Sequence, residues 1–315
     1  RRPCPGSTRL HDGGFARTMC RRACLGIAAG LVLIAGLERS TSPAPPPGFL
    51  GAYAWSVADP LFGGMSGREI SADGRHFVAI TDRSNATRGT LQRDAEGRIT
   101  QISAALFEPL TDATGAVFPT ERNDSEGLAI GANGRMFVSF EGPARVQSYA
   151  RFGGTSQQLP IPDAFLLMTK NSALESLAVG ADDTLYTVPE NTPQNGPFPL
   201  FQFRQGQWSS PFSIARIGNF LPVGADIGPD GRLYILERQF RGLAGFASRL
   251  RRFDLNTSGE AIGLVLLQTA PGVHDNLEGV AVWRDAEGRL TASMVSDNNF
   301  MGFLATEIVE YRLPD

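Results

Sequence analysis

The chain has 315 residues, 42% apolar and 19% charged, enough to bury a sizeable core and too apolar for wholesale disorder. Its formal net charge is −3; residues 1–42 hold seven Arg and two acidic residues, so the remainder sets 22 basic against 30 acidic residues, a charge of −8, which disfavours nucleic acid and favours cations as partners. All three cysteines, Cys4, Cys20 and Cys24, fall in that same segment, which leaves the rest of the chain without a disulfide, a thiol nucleophile or a zinc–thiolate site.

Residues 1–18 carry no pattern and are expected to be untranslated or disordered. From Met19, the pair Arg21-Arg22 leads into an apolar run, Leu25 to Leu37. At about thirteen residues it is too short to span a bilayer and suits a signal-peptide core. Residues 19–40 therefore read as a signal peptide, better fitted to general secretion than to the twin-arginine route. An uncleaved anchor helix is the alternative. The expected location is periplasmic or secreted, with no stable membrane anchor. Residues 41–48 (TSPAPPPG) read as a Pro-rich linker, and 49–315 as one domain.

Gly is abundant, at 36 residues, and with frequent Asn, Asp and Pro it points to many tight turns and an all-β chain. No amphipathic helix of useful length is predicted. The first apolar segment after the linker is Leu50–Ala58. Five segments of one grammar follow: an apolar strand, a turn with Asp or Asn and usually Gly, a second apolar strand, then an acidic residue. They cover residues 65–83, 124–142, 173–191, 222–238 and 276–298. Their turns are Asp73-Gly74, Asn133-Gly134, Asp182-Asp183, Asp230-Gly231 and Glu287-Gly288, most of which supply the positive φ that a tight hairpin needs. Further strands follow each hairpin: 145–152 and 156–162, 200–206 and 208–216, 249–256 and 262–269, and finally 307–314.

The repeat recurs about every 50 residues, the size of a four-stranded propeller blade. The predicted fold is an all-β, five-bladed β-propeller. Its last blade lacks one strand, which Leu50–Ala58 would supply, closing the ring and removing open edges. Residues 99–121 leave room for a sixth blade. An open sandwich or a pair of β domains is the competing architecture.

Aligning the repeats gives two rings. One lies at the start of the innermost strands: Ser66, Glu126, Glu175 and Glu278, with Val223 in the fourth repeat. The other ends the second strands: Asp82, Glu141, Glu190, Glu237 and Asp297. Innermost strands of a propeller run the same way along the channel, so equivalent positions converge. Clustered carboxylates stay ionised together only with a cation or arginines nearby, and hard oxygen ligands suit Ca²⁺. Asn123, Asp124, Asn171, Asn276, Asn298 and Asn299 accompany them. The bland alternative for the second ring is pairing with turn amides or with Arg68, Arg122, Arg238 or Arg241. His76 reads as a surface turn residue. His274, just before Asp275 and Glu278, could approach the channel mouth. Neither a Gly-x-Ser-x-Gly elbow nor a nucleotide-type phosphate loop is present.

The runs Gly63–Gly67 (GGMSG), Ser125–Ala129 (SEGLA), Leu174–Ala178 (LESLA), Leu277–Ala281 (LEGVA) and Ser296–Phe300 (SDNNF) resemble the phytase-like domain family, whose members are labelled "esterase-like activity of phytase". The resemblance spans about residues 49–312. It implies an exported propeller of phosphoester or ester chemistry, in which Ca²⁺ at the channel mouth binds phosphate and activates water. On that analogy Glu126, Glu175, Glu278 and Asp297 hold the ion; Asp82, Glu141, Glu190 and Glu237, the rest of the second ring found by aligning the repeats, complete the candidate metal ligands. Arg68, Arg122 and Arg238 would meet substrate phosphate, and His274 joins the candidate catalytic groups. The expected protein is a monomeric metal-dependent phosphoesterase or esterase acting on a small, phosphorylated or otherwise esterified substrate. A gluconolactonase-type lactonase and a non-catalytic binding propeller are the alternatives.

Overall fold

The computed structural model describes residues 43–314 except 170–172, 257 and 302–303. The signal-peptide reading of residues 19–40, the segment 1–18 and the candidate ligand Asn171 lie outside the described residues. No helix among the described residues is long and apolar enough to cross a membrane.

The chain forms five sheets, antiparallel but for one short parallel pairing, arranged as the blades of a propeller. Strand β1 (Phe49–Ala54) comes first and belongs to the last blade. Blade one is β2 (Met65–Ile70), β3 (His76–Thr81), β4 (Asn85–Arg93) and β5 (Ile99–Ala104), with the two-residue β6 (Glu108–Pro109) also paired to β4. Residues 99–104 thus finish the first blade, and five blades account for every described strand. Blade two is β7 (Ser125–Ile130), β8 (Met136–Phe140), β9 (Arg145–Tyr149) and β10 (Ser156–Gln158). Blade three is β11 (Ser176–Val179), β12 (Leu185–Val188), β13 (Phe198–Arg204) and β14 (Gln207–Ile214). Blade four begins with β15 (Leu221–Ile227), β16 (Leu233–Phe240) and β17 (Phe246–Phe253). The next strand, β18 (Gly259–Ala261), leaves that blade and pairs in parallel with β14 of blade three, stitching the two together. Blade four then ends with β19 (Leu264–Gln268). Blade five is β20 (Asn276–Arg284), β21 (Leu290–Asp297), β22 (Glu307–Arg312) and β1, which pairs antiparallel with β22 from Phe49↔Tyr311 to Ala54↔Glu307. The N-terminal strand therefore closes the ring as the sequence implies.

The inner hairpins turn where expected. Gly134 (φ 78°), Gly231 (φ 74°) and Asp183 (φ 60°) hold the left-handed conformation at the tips, which Gly adopts freely and Asp tolerates. The core is five apolar clusters, one at each junction between neighbouring blades. Phe137 of β8 packs toward blade three, while Met136 and Val138 pack toward blade one. Trp55 and Ile308 of blade five pack against Met65 and Phe77 of blade one. Each blade is buried on both faces, so its strands read as near-continuous apolar runs rather than clean alternation.

Candidate functional site

The first ring is built by β-bulges. The inner hairpins slip register between Met65 and Gly67, Ser125 and Leu128, Pro222 and Gly224, and Leu277 and Gly279. The unpaired residues there are Ser66, Glu126 with Gly127, Val223 and Glu278. In blade three Glu175 sits just ahead of Ser176, which pairs with Val188. A bulge turns its extra residue out of the pleat, so the same local defect re-aims the ring position in blade after blade. Four of the following residues are Gly. A Cβ on Gly224 would lie 2.3 Å from the Glu278 carbonyl oxygen, and one on Gly127 would lie 2.7 Å from the Leu177 nitrogen. Inner strands of adjacent blades thus meet backbone to backbone just below the ring. The axis there leaves a cavity of about 10 Å³ lined by Ser66, Glu175 and the ring glycines, room for about one water at most. The axis is thus nearly closed at this level.

Carboxylates converge above this waist. Asp124, Glu126 and Glu141 each offer an oxygen, all within 4.8 Å of one another. Burial pushes Glu126 well above the usual carboxylate range, and the charges acting on it most strongly, those of Glu175, Glu278, Asp124 and Glu141, are all of its own sign. Burial likewise raises Asp124, against a hydrogen bond from Glu126. Burial lifts Glu141 to about 7, against the hydrogen bond its Oε1 accepts from the Ala173 N–H at 2.5 Å. Glu175 is raised well above its ordinary value by burial and then by Glu190. Asp82 is raised to about 7 by burial, with Arg83 opposing, and its buried Oδ1 has no hydrogen-bond partner. Asp297 rises to about 6 through burial, although the Asn299 N–H donates to it at 2.7 Å. Burial and like charge thus raise the proton affinity of every one of these carboxylates.

The fourth blade breaks the ring, and one residue decides how. Leu221 pairs with Arg238 and Pro222 with Glu237, whereas in blade five Asn276 pairs with Asp297 and Leu277 with Ser296. The structural counterpart of Asp82, Glu141, Glu190 and Asp297 is therefore Arg238. The expectation that Glu237 joins the ring is corrected: a slip of one residue puts a strand side chain on the opposite face. Glu237 is fully buried between Arg249, at 2.5 Å, and Arg251, whose Nε donates at 3.0 Å. Arg238 takes its place in the ring. It binds Glu278, donates to Glu190 at 3.2 Å and donates to Asn276 Oδ1 at 2.7 Å. Burial works against its charge, but Glu278, Glu175 and Glu190 more than offset that and raise its pKa. Glu278 is raised to about 7 by burial, with Arg238 as the main opposing influence. The mouth is thus polarised: Glu190 and Glu278 share a guanidinium, whereas Asp124 and Glu141 feel Arg145 and Arg238 only as weaker, through-space charges and Glu126 is acted on by carboxylates alone.

Three other candidates lie elsewhere or are only partly placed. Arg68 is 2% exposed and its guanidinium lies 5.9 Å over the Phe77 ring, with all three nitrogens unpartnered. It faces the junction of blades one and five, so its reading as a phosphate ligand at the mouth is corrected: the strand alternation after the bulge turns it into the core. His274 is buried against Phe49 and Tyr311, its Nε2 2.5 Å from the Tyr311 hydroxyl, and burial lowers its pKa to about 4. The structure joins it to the blade-five aromatics rather than to the carboxylates. Arg122 is exposed at the end of a 3₁₀ turn, Thr120–Arg122, whose carbonyl Arg145 holds. The sequence reading passed over Arg83, an exposed residue that stacks on Phe300 at 3.5 Å and whose charge reaches Asp82. Its position directly after a ring acid is the signal that could have found it.

A family model described as "Phytase-like: Esterase-like activity of phytase" matches residues 60–300. No curated protein matches the sequence. Among solved structures, regucalcin from Agrobacterium tumefaciens, described as a calcium-binding protein, is similar at a TM-score of 0.50 and 11% identity, over 86% of this chain and 95% of that one. The α-L-arabinofuranosidase PaAbf62A from Podospora anserina gives 0.50 and 12%, over 86% and 96%. The gluconolactonase XC5397 from Xanthomonas campestris gives 0.43 and 15%, over 79% and 72%. At these identities the likeness is one of fold. The family match covers most of the chain, which belongs to the phytase-like family.

Proposed function

We propose that this phytase-like propeller is a divalent-cation-dependent hydrolase of small ester or phosphoester substrates, that its cation is Ca²⁺, and that the reaction takes place at the acidic mouth. One observation carries the reading: Asp124, Glu126 and Glu141 bring oxygens within 4.8 Å of one another, with no ion pair to an arginine among these three carboxylates in the described residues. Hard oxygen donors, raised proton affinity and the unpartnered Asp82 Oδ1 fit a hard cation better than a soft one. Asp124, Glu126 and Glu141 would hold the ion, with Glu175 beside them. Such an ion polarises an ester or phosphoryl oxygen and acidifies a bound water.

The rest is the work of the chain itself. Arg238 is already committed to two carboxylates and Asn276, so it positions Glu190 and Glu278 and is not available to grip a phosphate. Arg83 and Arg122, both exposed beside ring residues in sequence, are cations that could attract an anionic group. The narrow waist closes the axis beneath the carboxylates and leaves little room for water there. The run Leu25–Leu37 supports export, where free Ca²⁺ is high enough for a site of modest affinity.

The test is metal analysis of the purified protein, followed by a panel of phosphomonoesters, phosphodiesters, carboxylic esters and lactones with and without Ca²⁺. Hydrolysis that needs the ion and falls at least about a hundredfold in Glu126→Gln supports the reading. Turnover of lactones alone would favour lactonase chemistry. A protein that binds no divalent ion and hydrolyses nothing would leave a binding propeller.

A further inference from the structure

We infer that the substrate carries an apolar arm, and that this arm lies in a pocket between blades two and three beside the acidic mouth. The inference rests on the proposed hydrolase reading and narrows its substrate class. The pocket has a volume of about 510 Å³, within the range of small-ligand sites. Its walls are Leu167, Met168, Pro189, Pro193, Pro199 and Phe201. Three of the six are prolines, which present ring carbons and no N–H group that would demand a polar partner. The floor is firm: Phe165 meets Phe201 edge-on at 5.1 Å and Trp208 at 4.9 Å.

Its placement ties it to the ring. Leu167 and Met168 lie on the connection from β10 to β11, and Pro189 and Pro193 on that from β12 to β13. Both connections lie at the end of the blades where inner strands begin, which is the ring end. Ala173, on the first connection, donates its N–H to Glu141 and accepts the Glu190 N–H at 2.9 Å. Pro189 and Asn191, on the second, flank Glu190 and both line the pocket. Two short peptide segments thus serve ring and pocket together. Leu166 and Leu167 stay 66% and 85% exposed, an apolar rim beside carboxylates that a wholly charged substrate would leave bare.

Two measurements on the full chain test this. The first is binding of the fluorescent probe 1-anilinonaphthalene-8-sulfonate and its displacement by n-alkanols from butanol to octanol, without metal. Wild type should bind the probe saturably, and alkanol affinity should rise roughly fourfold per methylene. Leu167→Asp, at an exposed position, should weaken probe binding about tenfold with unchanged melting temperature. The second is kcat/KM on 4-nitrophenyl alkanoates of increasing length with Ca²⁺, which should rise with chain length in wild type and flatten in Leu167→Asp. Absence of saturable probe binding, or no effect of Leu167→Asp on it, overturns the pocket. Hydrolysis that ignores chain length overturns its role as a substrate arm site. If no ester is hydrolysed with any ion, the hydrolase reading fails, and the first measurement still decides the pocket.

Discussion

Raised carboxylate pKa values at the mouth make stability depend on pH and on the cation together. Glu141, Glu278 and Asp82 are each raised to about 7. A carboxyl group raised in the folded state holds protons that the unfolded chain has released, so its stabilisation is present at acid pH and is lost as pH climbs toward 7. For a Glu moved from 4.5 to about 7, the change between pH 6 and pH 8 is roughly 1 kcal/mol. The groups share protons and do not add fully, so two to three of them together give about 2–3 kcal/mol. His274, lowered to about 4, works the other way and loses stability below 6.5, which offsets about 1 kcal/mol at pH 6. The ion-free protein should therefore melt several degrees lower at pH 8 than at pH 6. Glu69 and Asp226, raised by burial at the other end of the inner strands, add the same trend but have no part in the mouth. The decisive quantity is thus the gain on adding Ca²⁺, which should be several degrees larger at pH 8, where the ion meets carboxylates already ionised. Calorimetric titration at pH 7 in two buffers of different ionisation enthalpy should show about one proton released per ion. Equal stabilisation by Ca²⁺ at both pH values, with no proton release, would refute the account of the mouth as a cation site held by protons.

The two halves of the ring separate in mutants. Arg238→Met strands Glu190 and Glu278 without their counter-charge and should destabilise the protein by about 3 kcal/mol at pH 8, less at pH 6, and more of that loss should return on adding Ca²⁺ than in wild type; urea unfolding at the two pH values reads this. Glu237→Gln, outside the ring, leaves Arg249 and Arg251 sharing a neutral partner in the core. It should destabilise by about 3–5 kcal/mol while leaving the Ca²⁺ dissociation constant of the folded fraction unchanged by titration calorimetry.

The architecture was legible because it is written in local signals. Five turns at Gly or Asp positions and apolar runs on either side fixed the inner hairpins, and the single unpaired strand after residue 306 called for a partner that Phe49–Ala54 supplies. The glutamates of the first ring were legible because the bulge repeats with its residue. What hid was register and direction. Glu237 looked like a ring member because it is acidic and near the strand end. Counting from the turn separates it from blades two and three, where Glu141 and Glu190 stand seven positions beyond Gly134 and Asp183 as Arg238 does beyond Gly231, but the count runs to eight at Asp82 and nine at Asp297, so only the strand pairing settles the register. Arg68 and His274 were close in sequence to ring residues, but strand alternation carries one into the blade junction and aromatic packing holds the other.

The departures from the repeat follow from the same electrostatics. A ring with a carboxylate at every position would gather like charges in a half-buried pocket, which burial and mutual repulsion both oppose. Blade one relieves this with Ser66, whose hydroxyl bonds the Ser125 carbonyl at 2.7 Å. Blade four relieves it twice, with apolar Val223 at the bulge and Arg238 where the other blades place acids. Backbone geometry is kept in both, since the register slips at Met65/Gly67 and Pro222/Gly224 match those of blades two and five. The fold therefore sets where the groups converge, and two blades set how the charge is distributed among them. Arg238 pairs with Glu190 and Glu278 and reaches Glu141 only as a minor influence, while the charges on Glu126 are all of its own sign, which is why an added cation is expected beside Asp124, Glu126 and Glu141 and why Glu126 is the residue whose neutralisation should abolish binding.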